Sequence, residues 1–216
     1  MHKSVSSLIR SLGPGLLIAL AAFTVSLMAV PPAQSSGKTL GNLMAAFNGE
    51  SNAHARYLAF AEKADEEGYG EVASLFRAAA RAEEIHANNH AEVIRKMGGV
   101  PKADVQQPDI KTTAENLQAA IEGESYERDK MYPEFISQAR SERNRDALRS
   151  FNYALSAETE HAKLYTAALN NLDTLKGSQA QTYYVCTVCG YTTAKLDFTK
   201  CPSCFNPVDD VYVKIS

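Results

Sequence analysis

Residues 82–87 read Ala-Glu-Glu-Ile-His-Ala, and residues 157–162 read Ala-Glu-Thr-Glu-His-Ala. Both segments contain Glu-x-x-His, a spacing that places a carboxylate and an imidazole on one face of a helix. One such pair is ordinary on a solvated helix, so the repetition is the informative feature. The repeat predicts two equivalent helices that direct four side chains to one site: Glu83, His86, Glu158 and His161.

A second repeat accompanies the first. Gly-Glu-Ser occurs at residues 49–51 and at 123–125, so each half of the chain offers one Glu and, 33 or 34 residues later, a Glu-x-x-His. If the two helix pairs pack antiparallel about a pseudo-twofold axis, Glu50 and Glu124 join the same site. Four carboxylates and two imidazoles are what a carboxylate-bridged di-iron or di-manganese centre requires. The alternative, a set of solvated surface charges, does not account for two matched repeats.

The apolar pattern around these segments predicts four long helices, because apolar residues recur at steps of three and four positions. The predicted helices are Thr39–Gly68, Glu71–Met97, Thr112–Ser141 and Arg145–Leu172. Their short, long and short connections are typical of an antiparallel bundle with one crossover. The sequence therefore predicts a mainly α fold: a ferritin-like four-helix bundle at 38–174, followed by a small C-terminal metal-binding domain.

Local signals refine this prediction. Thr112, followed three positions later by Glu115, predicts a capping box at the start of the third helix. Pro133 lacks a backbone donor and predicts a kink or break inside that helix. The predicted buried stripe of the first helix contains Leu40, Leu43, Met44, Phe47 and Leu58.

Further side chains lie near the predicted site. Glu127 is three positions after Glu124 and adds a carboxylate to the same helical face, with an exposed charge as the alternative. Tyr57 and Tyr132 lie on ligand-bearing faces and are either core aromatics or hydrogen-bond donors to the site. Four more residues are expected to be solvated or to support the site without binding metal: His54, Glu84, His90 and Glu160. Because His54 is four positions after Glu50 and His90 four positions after His86, a ligand role is the alternative for these two histidines.

All four cysteines lie near the C-terminus, in the segments 186–189 and 201–204, each of which reads Cys-x-x-Cys. This pattern predicts one tetrahedral site for zinc or for a single iron, formed by Cys186, Cys189, Cys201 and Cys204. A pair of disulfides is the alternative. A polar linker at 176–181 precedes this region, which contains six of the chain's 18 aromatic residues. These aromatics can exclude water from the metal and so tune a redox iron.

The N-terminal residues 1–36 are predicted to be a signal peptide or an N-terminal anchor. An apolar stretch at 16–30 follows a basic start and precedes a Pro-rich exit, the order found in export signals. The stretch is shorter than the roughly 20 residues that a bilayer span needs. We therefore expect an exported, periplasmic or extracytoplasmic protein, tethered to the membrane through residues 12–30 if the signal is uncleaved. A buried core helix is the remaining alternative.

Composition limits the choice of partners. The 216 residues contain 22 Lys and Arg against 25 Asp and Glu, a net charge of −3 that argues against binding nucleic acid through a basic surface. Apolar residues make up 45% and charged residues 22%, values typical of a globular protein.

The Gly-Glu-Ser segments, the paired Glu-x-x-His, the run from Glu124 to Pro133 and the two Cys-x-x-Cys together resemble rubrerythrin over residues 38–216. The resemblance implies a di-iron bundle joined to a rubredoxin-like Fe(Cys)4 domain at 181–216. It implies a peroxidase that reduces hydrogen peroxide to water in oxidative-stress defence, with electrons delivered through the rubredoxin-like iron. The di-iron ligands implied are Glu50, Glu83, His86, Glu124, Glu127, Glu158 and His161.

The resemblance also implies roles beyond the ligand set. Tyr57 and Tyr132 match tyrosines near the family's di-iron site, and members typically form head-to-tail dimers in which one chain's rubredoxin iron serves the other chain's di-iron centre. From its position on the helix, Glu127 is expected to move between metal-bound and free positions. The family's usual electron donors are cytoplasmic and NADH-linked, which does not suit a protein with an export signal. The electron donor is therefore left unidentified.

Two other functions stay open at this point. A ferritin-like shell would oxidise and store iron, but it has no obvious use for the cysteine tail. A zinc-loaded scaffold would be non-catalytic. A local departure from the family is Phe205, which follows the last cysteine where a small residue able to adopt positive φ is expected.

Overall fold

The structure, a computed structural model, describes residues 37–216. The predicted signal or anchor, including the tether at 12–30, lies outside these residues. The helices are α1 (Lys38–Glu66), α2 (Gly70–Lys96), α3 (Thr113–Tyr126), α4 (Tyr132–Ser141), α5 (Arg145–Asn170), α6 (Leu172–Leu175) and α7 (Val208–Val211). The strands are β1 (Tyr183–Cys186), β2 (Thr192–Thr193) and β3 (Tyr212–Ile215). Between residues 37 and 216, none of the helices is both long and apolar enough to cross a membrane.

The connection between α2 and α3 runs the length of α1, which confirms the predicted crossover bundle. Asn48 accepts from the backbone N–H of Asp104 at 2.8 Å, and the amide of Asn52 donates to the Asp104 carbonyl at 3.0 Å. The N–H of Thr113 then donates to the carboxylate of Glu67, just beyond the end of α1, at 2.9 Å. The third helix therefore starts where the first one ends, and the two run in opposite directions.

The second helix pair closes the bundle at the other end. The Glu142 carboxylate, just beyond α4, accepts from the N–H of Thr39 in α1 at 3.3 Å. The side-chain amide of Asn144 caps α5 and contacts the sulfur of Met97, just beyond α2, at 3.1 Å. Because α5 begins where α2 ends, these two ligand-bearing helices are antiparallel and in contact.

The predicted third helix contains a π-helical turn at Glu127–Met131, between α3 and α4. The N–H of Tyr132 donates to the carbonyl of Glu127, five residues back. Pro133 has no N–H and therefore cannot make the α-helical hydrogen bond to the carbonyl of Asp129. The π-helical turn, which contains one more residue than an α-helical turn, lies just before Pro133. The predicted irregularity is thus present, one turn earlier than Pro133. The capping box of Thr112 and Glu115 is confirmed.

Two apolar clusters fill the bundle, one on each side of the ligand positions along the helices. One contains Tyr57, Phe76 and Tyr165, and the other contains Tyr132 and Phe151. The prediction that Leu58 belongs to the buried stripe is wrong, because its side chain is 43% exposed. The spacing was ambiguous by one position, and the adjacent Tyr57 fills the core instead.

The C-terminal segment is attached along α2. The N–H of Gly177 donates to the carbonyl of Gly68 at 2.8 Å, and the N–H of Gln181 donates to the Ser74 hydroxyl at 3.2 Å. The strands then form an antiparallel sheet in the order β2-β1-β3. Alternate residues of β1 pack into the bundle core, so the sheet lies against α2.

Candidate metal centres

The predicted ligands converge in the centre of the bundle as two adjoining groups. One group consists of Glu50, Glu83, His86 and Glu158, and the other of Glu83, Glu124, Glu158 and His161. Within each group the candidate ligand atoms lie within 4.8 Å of one another, and every side chain is buried. Glu83 and Glu158 belong to both groups, which places them where carboxylates bridge two metal ions. The pseudo-twofold arrangement predicted from the repeats is therefore present in the ligand positions.

Unpaired oxygens test whether this set suits cations. One carboxylate oxygen each of Glu50, Glu124 and Glu158 is buried without a hydrogen-bond partner. Leaving a buried carboxylate oxygen unsatisfied is costly, whereas two divalent cations, one in each group, would satisfy all three oxygens. Oxygen and imidazole donors of this number suit iron or manganese. The residues present therefore fit a two-metal centre.

Each terminal carboxylate is also held by a buried tyrosine. The Tyr57 hydroxyl donates to Oε1 of Glu124 at 2.7 Å, and the Tyr132 hydroxyl donates to Oε1 of Glu50. Each bond fixes one oxygen and leaves the other for a cation. Tyr57 and Tyr132 are thus core aromatics whose hydroxyls also donate hydrogen bonds to the site.

Both imidazoles are oriented by the C-terminal domain, a feature that the sequence analysis missed. Nε2 of His86 lies 3.1 Å from the backbone carbonyl oxygen of Cys189, which can only accept, so this nitrogen carries the proton. Nε2 of His161 lies 3.0 Å from the Thr192 hydroxyl, which itself donates to the Gly190 carbonyl at 3.0 Å. In a neutral ring the bare Nδ1 then faces the carboxylates, the orientation that second-shell partners impose on metal-binding histidines.

The contacts of Nδ1 strengthen this assignment. Nδ1 of His86 lies 2.8 Å from Oε2 of Glu83 and 3.2 Å from Oε1 of Glu158. Nδ1 of His161 lies 3.0 Å from Oε2 of Glu158. A bare nitrogen and a carboxylate oxygen are both acceptors, so a cation or a proton must lie between them.

The electrostatics of the site show the same need for positive charge. Burial raises the pKa of Glu50 and Glu158 well above the ordinary value, and neighbouring carboxylates add to this effect. Burial alone would also raise the pKa of Glu83, but His161 and His86 outweigh it and lower that pKa to about 2. Burial alone would lower the pKa of His161, whereas the surrounding carboxylates raise it well above its ordinary value. Two divalent cations would replace these retained protons.

Glu127 lies beside the two groups and belongs to neither. It starts the π-helical turn and is half-buried. Burial raises its pKa well above the ordinary value, followed by repulsion from Glu124 and Glu83, while Arg56 acts in the opposite direction. Its role as a mobile ligand stays a prediction.

The residues expected to be solvated or supporting take up other contacts. Nδ1 of His54 lies 2.7 Å from the Ala80 carbonyl. Glu84 pairs with Arg81, and Glu160 pairs with Lys163 at 2.7 Å. His90 is fully buried among side chains on the Glu50 side of the site.

The cysteines form a separate cluster in which no disulfide is present among residues 37–216. Sγ of Cys186 lies 3.6 Å from Sγ of Cys204, and Sγ of Cys189 lies 3.5 Å from Sγ of Cys201. Four thiolates around one tetrahedral metal, with metal–sulfur bonds of about 2.3 Å, lie roughly 3.8 Å apart. The cluster therefore fits a single zinc or iron, and the disulfide alternative is wrong.

Comparisons with known proteins identify the family to which the chain belongs. The family model described as rubrerythrin matches residues 41–169. The chain belongs to the rubrerythrin family. Nigerythrin of Nitratidesulfovibrio vulgaris is 42% identical over 174 residues, which cover 80% of this chain and 85% of that protein. Rubrerythrin-2 of Clostridium acetobutylicum is 38% identical over 170 residues, covering 75% and 89% of the two chains.

Solved structures extend the likeness to three dimensions. Nigerythrin in its fully reduced, all-ferrous state matches with a TM-score of 0.76 at 40% identity, over 86% of this chain and 91% of that one. A bacterioferritin of Desulfovibrio desulfuricans, solved with its diiron site in different catalytic states, matches with a TM-score of 0.62 over 67% and 90% of the two chains. At 21% identity the bacterioferritin supports the ferritin-like fold alone. Membership of the rubrerythrin family and the two ligand groups together support a di-iron protein of oxidative-stress defence and an oxidoreductase.

In this rubrerythrin family member the two cysteine knuckles have the same backbone turn. The N–H of Gly190 donates to the Cys186 carbonyl at 2.8 Å, and the N–H of Phe205 donates to the Cys201 carbonyl at 2.9 Å. Gly190 has φ +76° and Phe205 has φ +61°. The turn thus imposes positive φ on Phe205, which a phenylalanine adopts only under strain.

Proposed function

We propose that this protein reduces hydrogen peroxide to two molecules of water, consuming two electrons and two protons. One observation supports this most directly: His86 connects the two metal sites. Its Nδ1 faces the carboxylates Glu83 and Glu158, and its Nε2 donates to the carbonyl of the cysteine-cluster residue Cys189. A bundle that only stored iron, or a scaffold holding zinc, has no need for such a connection.

Two irons held by the carboxylates and imidazoles of the bundle would supply the two electrons that cleave the O–O bond, and an iron held by the four cysteines would supply one-electron transfer. The chain's own residues hold this chemistry in place. Glu83 and Glu158 keep the two ligand groups together, and burial of every ligand excludes bulk water. The hydroxyls of Tyr57 and Tyr132 hold protons against Glu124 and Glu50, where the reaction consumes them.

The proposed electron route runs from the cysteine cluster through the Cys189 carbonyl and the Nε2 proton of His86. Asn89 reinforces this contact, because its side-chain amide donates to the carbonyl of Val188 at 3.0 Å. The route is short and contains a single hydrogen bond. It joins only one of the two histidines to a cysteine residue, since His161 contacts Thr192 instead.

A single-turnover reaction tests the proposal. We expect anaerobically purified protein to contain close to three irons, two in the bundle and one in the cysteine cluster. Fully reduced protein holds three electrons per chain and each peroxide takes two, so it should consume peroxide without evolving oxygen and regain its thiolate-to-iron absorption once two equivalents have been added. Glu83→Ala should abolish this reaction, whereas the adjacent Glu84→Ala, which loses only its pair with Arg81, should not.

Other outcomes identify the alternatives. Zinc in the cysteine cluster, with a colourless protein, would indicate the scaffold. A cage-sized particle that accumulates iron would indicate storage. An iron-loaded protein that leaves peroxide intact would overturn the proposed function.

We also propose that the protein is exported from the cytoplasm. The basic start and the apolar stretch at 16–30 favour export, so the electron donor would act outside the cytoplasm. Cell fractionation followed by N-terminal sequencing of the purified protein tests this. Protein found only in the cytoplasm, with Met1 retained, would contradict it.

A further inference from the structure

The ligands of the bundle are buried, so a substrate needs a route to reach them. Apolar clusters fill the bundle on both sides of the ligands along the helices, and the C-terminal domain covers the α2 and α5 side through its bonds to His86 and His161. The side formed by α1 and α3 is different. These two helices contact each other at few positions, and a cavity of about 490 Å³ lies between them and the crossover segment.

Side-chain amides fix the walls of this cavity. The amide of Asn52 in α1 donates to the Asp104 carbonyl of the crossover and accepts from the N–H of Gln106 at 2.9 Å. The amide of Asn116 in α3 bonds the N–H and the carbonyl of Lys111 at 3.0 and 3.1 Å. Because both helices are tied to the crossover in this way, the cavity is held open by the fold itself.

The charged side chains at the mouth of the cavity already have partners. Asp109 pairs with Lys111 at 3.4 Å, Glu115 belongs to the capping box, and Glu122 accepts from Gln118 at 3.0 Å. All five side chains line the cavity and are exposed. A mouth whose charges are paired suits an uncharged polar molecule such as hydrogen peroxide better than an ion.

Arg56 closes the inner end of the cavity. Its guanidinium lies 5.4 Å from the centre of the Tyr57 ring, and the Tyr57 hydroxyl bonds Glu124 at 2.7 Å. Arg56 also occupies space that Gly123 leaves open, since a Cβ on Gly123 would lie 3.7 Å from Nη2 of Arg56. The same side chain therefore lines the cavity and lies against the residues that adjoin the metal ligand Glu124.

The guanidinium of Arg56 has an unused donor. Its Nε is buried and has no hydrogen-bond partner. A peroxide oxygen accepts hydrogen bonds, so a peroxide at the inner end of the cavity would satisfy this donor. The cavity has the volume of a small-molecule site and does not itself exclude larger hydroperoxides. Selection by size must therefore occur at Arg56.

We propose that hydrogen peroxide reaches the metal site through this cavity and that Arg56, at the inner end, excludes larger hydroperoxides. This inference rests on the proposed function, since a route for peroxide matters only if peroxide is reduced in the bundle. Arg56 is then the residue that determines substrate size. Ala119, an exposed residue of the cavity wall in α3, is the place where the route can be blocked.

The first test follows entry without peroxide. Azide binding to the diferric bundle can be followed by absorption, and Ala119→Trp fills the cavity from the surface of α3. Because a blocked route slows entry and exit equally, both azide rate constants should fall about tenfold or more while the Kd stays unchanged. The control is Ala167→Trp, at an exposed position of α5 outside the cavity lining, which should leave both rate constants at their wild-type values.

The second test concerns the size of the substrate. In Arg56→Ala, the ratio of kcat/KM for tert-butyl hydroperoxide to kcat/KM for hydrogen peroxide should rise about tenfold or more. Arg56→Lys keeps a long basic side chain and should stay near the wild-type ratio. Lys111→Ala changes only the exposed mouth and is the control. Damage to the metal site would slow both substrates and leave the ratio unchanged.

The outcomes distinguish the route, the role of Arg56 and the proposed function. Azide rate constants in Ala119→Trp equal to those of Ala167→Trp would overturn the route. An unchanged peroxide ratio in Arg56→Ala would overturn the role of Arg56. A wild-type protein that consumes no peroxide, but whose azide rate constants fall in Ala119→Trp, would reject the proposed function and leave the route for small molecules in place.

Discussion

Phe205 occupies a backbone conformation that favours glycine, with φ +61° and a side chain that is 72% exposed. A residue with a Cβ loses about 1–2 kcal/mol of stability in the left-handed region. Because the Phe205 ring is exposed, its packing offsets little of this strain. We expect Phe205→Gly to stabilise the cysteine domain by about 1 kcal/mol, measured by the resistance of the iron-loaded protein to denaturant and to chelators.

Phe205→Ala is the control, because it removes the ring but keeps the Cβ. If Phe205→Ala stabilised the domain as much as Phe205→Gly, the backbone explanation would be wrong and the exposed ring would be responsible.

The matching position in the other knuckle has the opposite constraint. A Cβ on Gly190 would lie 2.2 Å from Nε2 of His86, so Gly190→Ala must push the tail away from that histidine. We expect both sites to retain metal and reduction of the bundle by the cysteine iron to slow at least tenfold, measured by stopped-flow absorption. Gly98→Ala is the control: Gly98 also has a positive φ, +81°, so alanine is strained there too, but no atom lies within 4 Å of the added Cβ. An equal slowing in both variants would contradict the proposed electron route.

At this scale the sequence was informative because the chemistry is repeated. The Glu-x-x-His pairs, the Gly-Glu-Ser segments and the cysteine spacing identified every residue of the three clusters found here. The membership of Glu83 and Glu158 in both ligand groups was not predictable from spacing, because it depends on the distance between α2 and α5. The partners of Nε2 were also missed, since a backbone carbonyl and a lone threonine carry no sequence signature.

At the scale of helices, assembling the metal site lowers the stability of the metal-free fold, because it buries carboxylates close to one another. Four helices bring carboxylates together, and burial raises the pKa of Glu50 well above its ordinary value. Stability from such a group is fully present below the ordinary carboxyl pKa and is lost as pH rises through the raised value. We therefore expect the metal-free protein to become less stable from acidic toward neutral pH, as followed by thermal unfolding.

Metal binding has the opposite dependence, because cations must displace those protons. Affinity for ferrous ion should rise with pH, and calorimetry in buffers of different ionisation enthalpy should detect proton release. Glu50→Gln keeps an acceptor for Tyr132 without the charge, so it should stabilise the metal-free protein by about 1 kcal/mol or more and weaken metal binding. A less stable metal-free Glu50→Gln would show that the carboxylate is not strained by burial.

Helix boundaries were predicted to within one or two residues where capping and glycine signals were strong. The third helix was harder. Pro133 predicted an irregularity, but a kink, a break and a π-helical turn are all ways to accommodate a missing donor. The structure has a π-helical turn at Glu127–Met131, and no local sequence pattern distinguishes this outcome from the other two.

At the scale of the whole molecule, the cysteine domain lies on its own bundle. The linker is hydrogen-bonded to the start of α2, and Cys189 contacts His86 of the same chain. The head-to-tail dimer stays a prediction, and the contact it would make between chains is made here within one. Sequence reasoning could not distinguish these arrangements, because a linker of polar residues is compatible with both.

Mixing two inactive variants tests this arrangement. Cys201→Ser removes the cysteine iron, and Glu83→Ala removes the bundle centre. From the contact within one chain we expect a co-refolded mixture to show no recovery of peroxide reduction driven through the cysteine iron. Recovery to a substantial fraction of the wild-type rate would place the functional contact between two copies.

The hydrogen bonds from the tail to His86 and His161 have a thermodynamic consequence for metal loading. Closing four thiolates around an ion orders the loop that bears Cys189 and Thr192, and that loop holds both imidazoles in the orientation that binds metal. The occupancies of the two sites are therefore linked, and linkage is reciprocal. The factor by which metal in the cysteine site raises the metal affinity of the bundle must equal the factor by which metal in the bundle raises the affinity of the cysteine site. Both sites should therefore bind iron together, and lose it together when iron becomes scarce.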